Sequence, residues 1–256
     1  MQTEMLTIDQ WHQRFLQQAS WTAQTRRYLL EKAEIKVTDR ILEVGCGTGA
    51  ILGELAKHHG LSFGIDRAHQ YIDYCQKLRI KPHVATADAY RLPFHEYTFD
   101  LVFCHYFLLW TELPEKIIAE IRRVLKPGGK LLVFAEPDYG GRIDHPPALE
   151  ALGKAQIGSL KQQGANPFMG RKLAGLISAF PEFEHTEIGI MGYQAGLRQD
   201  PAFWESEWQI LAHDLDGILA PAEIEKLRQI DQSARQTGSR VLFVPTFFLY
   251  TELKKG

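Results

Sequence analysis

Between residues 40 and 135, five short apolar segments alternate with amphipathic ones, and this alternation constrains the fold more than any other feature. Short apolar segments joined by amphipathic helices are typical of parallel strands with crossover connections. The chain therefore predicts an α/β fold built on a parallel sheet. The predicted strands cover residues 41–44, 62–65, 83–85, 99–104 and 130–135.

The flanking regions have a different character, and they divide the chain into four segments. Residues 1–37 predict a helical cap, and residues 38–136 form the core with the five strands. Residues 137–235 predict a mostly helical insertion that includes a sixth strand at 183–191. Residues 236–256 supply the last strand of the sheet, expected at 240–253. Further helices are predicted at 147–162 and 170–179, and from Asp200-Pro201 and Ala220-Pro221.

Composition disfavours several classes of function. Lys and Arg number 29 against 31 Asp and Glu, a net charge of -2, which gives no basic surface for a nucleic acid. The three cysteines lack C-x-x-C spacing, and the ten histidines form no H-x-H or H-E-x-x-H motif, so we expect neither disulfides nor a metal site. No apolar run reaches the ~18 residues of a membrane span, and the first residues lack a basic, apolar leader. We therefore expect a cytoplasmic protein without a membrane partner.

The strongest local motif is a glycine turn, Gly45-Cys46-Gly47-Thr48-Gly49, which follows the first predicted strand and precedes a helix. Glycines at such a turn let the backbone approach a ligand closely, and the pattern indicates a nucleotide-type site. By spacing alone the motif also satisfies the dinucleotide fingerprint, because Ala50 lies three residues after Gly47.

Carboxylates at three strand ends distinguish a dinucleotide from other nucleotide-type ligands. Glu43 lies just before the glycine turn, where its charge would oppose a pyrophosphate but suit an ammonium or sulfonium group. Asp66 closes the second strand and can accept both hydrogen bonds of a ribose diol. Asp88 follows the third strand and can receive an adenine amino group. Together they favour a cationic nucleoside.

These motifs resemble those of the class I S-adenosylmethionine-dependent methyltransferases, in the branch that acts on small molecules. The resemblance covers residues 38–136. It implies a Rossmann-like, seven-stranded, mostly parallel sheet with an antiparallel last strand, helices on both faces, and a helical insertion after the fifth strand. The segments that carry it are 40–49 (RILEVGCGTG), 87–94 (ADAYRLPF), 99–104 (FDLVFC) and 122–131 (RRVLKPGGKL).

The resemblance also implies S-adenosylmethionine as the cofactor and a set of residues that hold it. Arg26 either pairs with the cofactor carboxylate or is an exposed helical arginine. The expected cofactor-binding residues are Glu43, Gly45, Cys46, Gly47, Thr48, Gly49, Asp66, Arg67, Asp88, Ala89, Cys104 and Arg26.

Two residues at the carboxyl ends of strands are candidates for catalysis. His105 follows the fourth strand and is either a general base or a hydrogen-bonded structural histidine. Tyr139 follows the fifth strand, beside Glu136 and Asp138, and we expect this segment to face the methyl acceptor. The expected function is methyl transfer to an O, N or C atom of a small molecule. The alternatives are a non-catalytic cofactor-binding or partner module and a nicotinamide-dependent dehydrogenase; the oligomeric state stays open.

Overall fold

A computed structural model describes residues 6–78, 82–190 and 201–255 of the chain. The helices are α1 (Ile8–Trp21), α2 (Ala23–Ala33), α3 (Ala50–Leu55), α4 (His69–Lys77), α5 (Pro114–Val124), α6 (Glu150–Gln162), α7 (Met169–Ser178), α8 (Pro201–Leu215) and α9 (Pro221–Gln236). The strands are β1 (Arg40–Val44), β2 (Leu61–Asp66), β3 (His83–Thr86), β4 (Phe99–Cys104), β5 (Leu125–Pro137), β6 (Ile143–His145), β7 (Phe183–Ile190), β8 (Val241–Phe243) and β9 (Thr246–Leu253). Within these residues no helix is long and apolar enough to cross a bilayer.

Seven strands form one sheet in the order β3-β2-β1-β4-β5-β9-β7. Strands β1 to β5 pair in parallel, whereas β9 runs antiparallel to both of its neighbours. This architecture confirms the predicted mostly parallel, seven-stranded sheet with an antiparallel last strand. The strand order reverses between β1 and β4, which opens a crevice at the carboxyl ends of the central strands.

The alternation of apolar segments follows from the burial of both faces of the sheet. Four of the five residues of β1 and five of the six of β4 are buried, so each strand reads as a continuous apolar run. Helix α5 begins with Pro114, whose fixed φ suits the first helical turn. Its buried face packs into the core that includes Val102 and Val133. That face consists of Ile117, Ile118, Ile121 and Val124.

The prediction of one continuous final strand over 240–253 is wrong. Val241–Phe243 pairs antiparallel with Ile143–His145 in a separate two-stranded sheet, and the core strand starts only at Thr246. Pro245 interrupts the run because proline has no backbone N–H to donate to a ladder. The other late elements begin where expected, although Met191 and Asp200, at the edges of the predicted elements, lie outside the described residues.

Buried ion pairs hold the insertion beside this small sheet. Asp144 of β6 bonds Arg142 at 2.6 Å and Arg240 at 2.8 Å, and the Arg240 Nε reaches Asp231 of α9 at 2.6 Å. Trp208 also donates its indole N–H to Asp231 at 2.8 Å. These charges tolerate burial because each is paired and hydrogen-bonded.

Helix α1 lies across the glycine turn. A reciprocal capping box starts the helix: Gln10 N donates to the Thr7 side chain, and Thr7 N donates to the Gln10 side chain. The ring Nδ1 of His12 lies 2.7 Å from Thr48 Oγ1, inside the turn itself. The cap predicted from residues 1–37 therefore covers the crevice at the end of β1.

Candidate active site

One cleft of about 1050 Å³ opens at the carboxyl ends of β1, β2 and β4. Ligand sites commonly span ~300–1,000 Å³, so this cleft has room for two small molecules side by side. Its floor includes Gly45, Asp66 and His105, and its far wall comes from the insertion, with Tyr139 and Glu207. The fold thus joins strand ends, cap and insertion around one space.

The glycine turn adopts a backbone that only glycine tolerates easily. Gly45, Gly47 and Gly49 have φ values of +76°, +50° and +76°. A Cβ on Gly45 would lie 2.2 Å from the ring of Phe107, so a side chain there has no space. The backbone N–H groups of Gly45 and Cys46 both donate to Ile65 O at 2.9 Å, which fixes the turn to the end of β2.

Asp66 and Asp88 hold their loops and also line the cleft. Gly47 N donates to Asp66 Oδ2 and Ala68 N donates to Asp66 Oδ1, both at 2.9 Å. Tyr90 N donates to Asp88 Oδ1 at 2.9 Å. Because a carboxylate has about four acceptor positions, both side chains keep capacity for a ligand.

Glu43 is a buried carboxyl group with an unused acceptor. The residue is 2% exposed, and its Oε2 has no hydrogen-bond partner although the side chain borders the cleft. Burial raises the pKa of Glu43 well above its ordinary value, and the nearby charge of Arg26 opposes part of that rise. An orphaned buried acceptor beside the glycine turn fits a ligand group that carries N–H donors or positive charge.

The cleft brings together ten of the residues predicted as site residues, and four lie elsewhere. Thr48 and Cys104 are fully buried beneath the cleft, and Gly49 caps α3. Arg26 is only 3% exposed, so its interpretation as an exposed helical arginine is wrong. The residues on the cleft surface are Glu43, Gly45, Cys46, Gly47, Asp66, Arg67, Asp88, Ala89, His105 and Tyr139.

Arg26 lies below the cleft, where it ties the cap to the core. Its guanidinium donates to the carbonyl of Ala19, to Thr22 Oγ1 at 2.9 Å and to Glu54 Oε2 at 2.8 Å. These bonds direct the side chain away from the cleft surface. Arg26 therefore affects the cleft through its positive charge, which lowers the pKa of both Glu43 and His105.

His105 borders the cleft, and its ring Nε2 lies 2.8 Å from Thr22 Oγ1. Burial, and then the charge of Arg26, lowers the pKa of His105 to about 3. The imidazole is therefore neutral near pH 7 and weakly basic. The Tyr139 side chain also borders the cleft, and burial raises its pKa.

The two acidic neighbours of Tyr139 do not face the cleft. Glu136 is fully buried and accepts backbone N–H groups from Phe107, Leu108 and Leu109 at 2.9, 2.7 and 3.1 Å. Asp138 is 5% exposed and pairs with Arg171 at 2.6 Å. The expectation that both would face the acceptor is wrong, because each is occupied in holding the chain that follows β4 or β5.

Sequence reasoning missed a polar group on the side of the cleft that the insertion forms. Arg14 of α1 forms an ion pair with Glu207 of α8, and Asp214 of the same helix also borders the cleft. Burial raises the pKa of both carboxyl groups. The only signal was the helical spacing that places Glu207 and Asp214 on the same face as Trp204.

We expect His105 to give stability a distinct pH dependence. The pKa of His105 is lower in the folded chain than in the unfolded chain. Below about pH 6.5 the unfolded chain therefore binds a proton at this residue, whereas the folded chain does not. Stability should fall by up to about 1.4 kcal/mol per pH unit as the pH drops from 6.5 toward 4. His105→Gln should reduce that slope in urea unfolding at several pH values. The same change at exposed His58 is the control, and equal slopes for both variants would contradict the assignment.

The fold and cleft define an architecture: a doubly wound α/β domain with a cleft at its strand ends, bordered by a mostly helical insertion. Residues 42–133 match the family model described as a methyltransferase domain. The match runs from β1 into β5, and this is the segment whose motifs resemble those of the class I S-adenosylmethionine-dependent methyltransferases.

The relatives of the chain cover part of its length. An uncharacterised methyltransferase of Schizosaccharomyces pombe is 29% identical over 160 residues, 55% of each protein. Sterol 4-C-methyltransferase strm-1 of Caenorhabditis elegans is 30% identical over 113 residues, which cover 42% of this chain and 34% of that protein. The chain thus spans about half or less of the length of these curated relatives.

Solved structures extend the likeness to nearly the whole chain. Phosphoethanolamine N-methyltransferase 2 of Haemonchus contortus, solved with phosphomonomethylethanolamine and S-adenosylhomocysteine, has a TM-score of 0.59 and 19% identity. The alignment covers 91% of this chain and 53% of that protein. At this identity the similarity describes the fold.

Proposed function

We propose that the chain transfers a methyl group from S-adenosylmethionine to an O, N or C atom of a small molecule. One observation carries the proposal: a single cleft runs from the glycine turn and the carboxylates at strand ends to a polar and aromatic wall built by the insertion. A cofactor subsite and an acceptor subsite that share one space are what a direct transfer between two bound molecules requires.

The residues at the strand ends fit the cofactor. Asp66 would accept the ribose hydroxyl groups and Asp88 the adenine amino group, while the bare backbone at Gly45 and Gly47 allows close approach. The orphaned Oε2 of Glu43 would receive the positively charged part of the cofactor. That carboxyl group also argues against the dehydrogenase alternative, because a pyrophosphate would lie against it.

The acceptor would lie toward the insertion, and the chain's main contribution is to hold it. When bound, S-adenosylmethionine supplies a methyl group that its sulfonium centre already activates. Holding an acceptor atom about 3–3.5 Å from such a carbon can supply ~7–11 kcal/mol of the barrier. Helix α1 and the insertion border the cleft and would limit the access of water to a bound acceptor, while Tyr139 and His105 offer polar groups for orientation.

We expect Asp66→Ala to weaken binding of S-adenosylmethionine by roughly tenfold or more. The variant loses a charged acceptor for the ribose, which typically contributes about 1.5–3 kcal/mol. It also loses the bonds that hold Gly47 and Ala68. Calorimetric titration measures the affinity, and Asp39→Ala, which removes a comparable loop bond at the opposite, amino end of β1 and outside the cleft, is the control. Equal affinity in both variants would exclude Asp66 from the cofactor site.

Turnover separates methyl transfer from a non-catalytic cofactor-binding module. The wild-type chain is incubated with S-adenosylmethionine labelled on the methyl group and a panel of small phenols, amines, carboxylic acids and activated carbon acids. Transfer of label to one acceptor, reduced in Asp66→Ala at a cofactor concentration below the wild-type Kd, supports the proposal. Tight cofactor binding without label transfer across the panel favours the non-catalytic alternative. Reduction of NAD or NADP, added with the same panel in a parallel incubation, would overturn both the methyltransferase and the non-catalytic proposals.

A further inference from the structure

The hydroxyl group of Thr22, at the junction of α1 and α2, lies at the centre of a buried hydrogen-bond network. Thr22 is 4% exposed. Arg26 Nη1 donates to its Oγ1 at 2.9 Å, and His105 Nε2 lies 2.8 Å from the same oxygen. The carbonyl of Ala19 is farther away, at 3.3 Å, and it already accepts a bond from Arg26.

The geometry limits where the hydroxyl proton can point. The guanidinium has donors only, so the bond from Arg26 occupies one of the two lone pairs of Thr22 Oγ1. The hydroxyl then donates either to His105 Nε2 or to a backbone carbonyl of α1, that of Ala19 at 3.3 Å or that of Gln18 at 3.4 Å. The contact to Nε2 has the length of a good hydrogen bond, whereas both carbonyl contacts are long for an O–H donor. A hydroxyl polarised by an adjacent cation is also a better donor.

We propose that Thr22, oriented by Arg26, fixes His105 as the neutral imidazole with its proton on Nδ1, so that the ring presents an N–H donor to the cleft. Thr22 is then a positioning residue, and His105 is a hydrogen-bond donor that orients a bound molecule. The inference deepens the proposed methyl transfer and rests on it for the identity of that molecule, which must offer an acceptor atom such as a carbonyl, carboxylate or phenolic oxygen.

This assignment changes the chemistry expected of His105. A nitrogen that accepts from Thr22 has no lone pair for a proton from the substrate, and the other nitrogen already carries one. The pKa of about 3 agrees with an imidazole that stays neutral throughout the physiological range. The ring would align the acceptor for attack and would not deprotonate it.

The experiment is nitrogen–proton correlation spectroscopy of the uniformly 15N-labelled protein, which shows the nitrogen that carries the proton in each histidine ring. The His105→Gln spectrum identifies the signals of His105 by their absence. We expect wild-type His105 to be protonated on Nδ1 and to show no titration between pH 5 and 8. Thr22→Val should shift the ratio of the two tautomers by roughly fivefold toward the Nε2–H form, and Thr22→Ser should restore the wild-type ratio.

The wild-type spectrum decides the inference even if a variant fails to fold. A proton on Nε2, or titration of His105 near pH 6.5, would overturn it, as would a wild-type ratio in folded Thr22→Val. Calorimetry with S-adenosylhomocysteine on the same samples tests the proposed function separately. If the wild-type protein does not bind S-adenosylhomocysteine, the proposed function is refuted. If it binds normally but His105 carries its proton on Nε2, only the role of Thr22 is refuted.

Discussion

Replacing Gly47 by valine should abolish binding of S-adenosylmethionine while the sheet still folds. Gly47 has a φ of +50°, a region that β-branched residues avoid at a cost of about 1–3 kcal/mol. Its Cβ would lie 3.2 Å from the Phe15 ring, a tight contact that the two further methyl groups of valine would worsen. Movement of the turn would also break the bond from Gly47 N to Asp66. We expect calorimetric affinity to fall at least ~100-fold, equivalent to about 2.7 kcal/mol.

A matched glycine outside the cleft gives the control. Gly158 lies in α6, and a Cβ added there meets nothing within 4 Å. Gly158→Ala should therefore keep the cofactor affinity and raise the free energy of unfolding by up to about 1 kcal/mol, because alanine favours helices. Normal affinity in a folded Gly47→Val protein would show that the cofactor does not lie against this turn.

The second large effect concerns stability. Glu136→Ala should lower the free energy of unfolding by at least about 3 kcal/mol, since it leaves three backbone N–H groups without their acceptor. The three donors belong to Phe107, Leu108 and Leu109, and the last two residues are themselves buried. Urea denaturation measures the change. A loss below about 1 kcal/mol would mean that water or other groups satisfy these donors.

Glu136→Gln keeps the shape of the side chain and removes its titration, while its amide nitrogen cannot accept the bond from Leu109 N. Burial raises the pKa of Glu136 to about 7, so between pH 4.5 and 7 the folded chain holds a proton that the unfolded chain releases. This group therefore makes the wild type less stable as the pH rises through that window. The glutamine variant lacks the titration, and its stability relative to the wild type should improve from pH 5 to pH 8.

The features that sequence predicted are those encoded locally. The strands were predictable because both faces of the sheet are buried. The place of Gly45, Asp66 and Asp88 at the cleft was predictable because each lies at a strand end or within two residues of it. Contacts between segments that are distant in the sequence could not be predicted. Thr22 and His105 are 83 residues apart, and Arg14 and Glu207 are 193 apart. Neither pair leaves a periodic pattern, since each depends on how the cap and the insertion dock on the sheet.

The same limit explains the errors around the fifth strand and the last one. Glu136 ends an apolar run beside the cleft, and its position alone could not show that the loop after β4 would cover its carboxylate with three donors. Residues 241–253 form one apolar run in which a single proline separates strands of different sheets. The pairing of Val241 with His145 could not be predicted from the sequence, because His145 lies near the start of the insertion and Val241 lies after its end.

The small sheet of β6 and β8 closes residues 143–243, which include most of the insertion, into a loop with a narrow neck. The two ends of this loop meet where Ile143–His145 pairs with Val241–Phe243, and the ion pair between Asp144 and Arg240 holds them together. Closing a long loop at its base confines its conformational freedom before the interior packs. Natural recombination or laboratory grafting of a new acceptor pocket would therefore succeed with junctions near Pro137 and Thr246, outside this neck. A junction near residue 235 would separate Arg240 from Asp231 and leave buried charges unpaired.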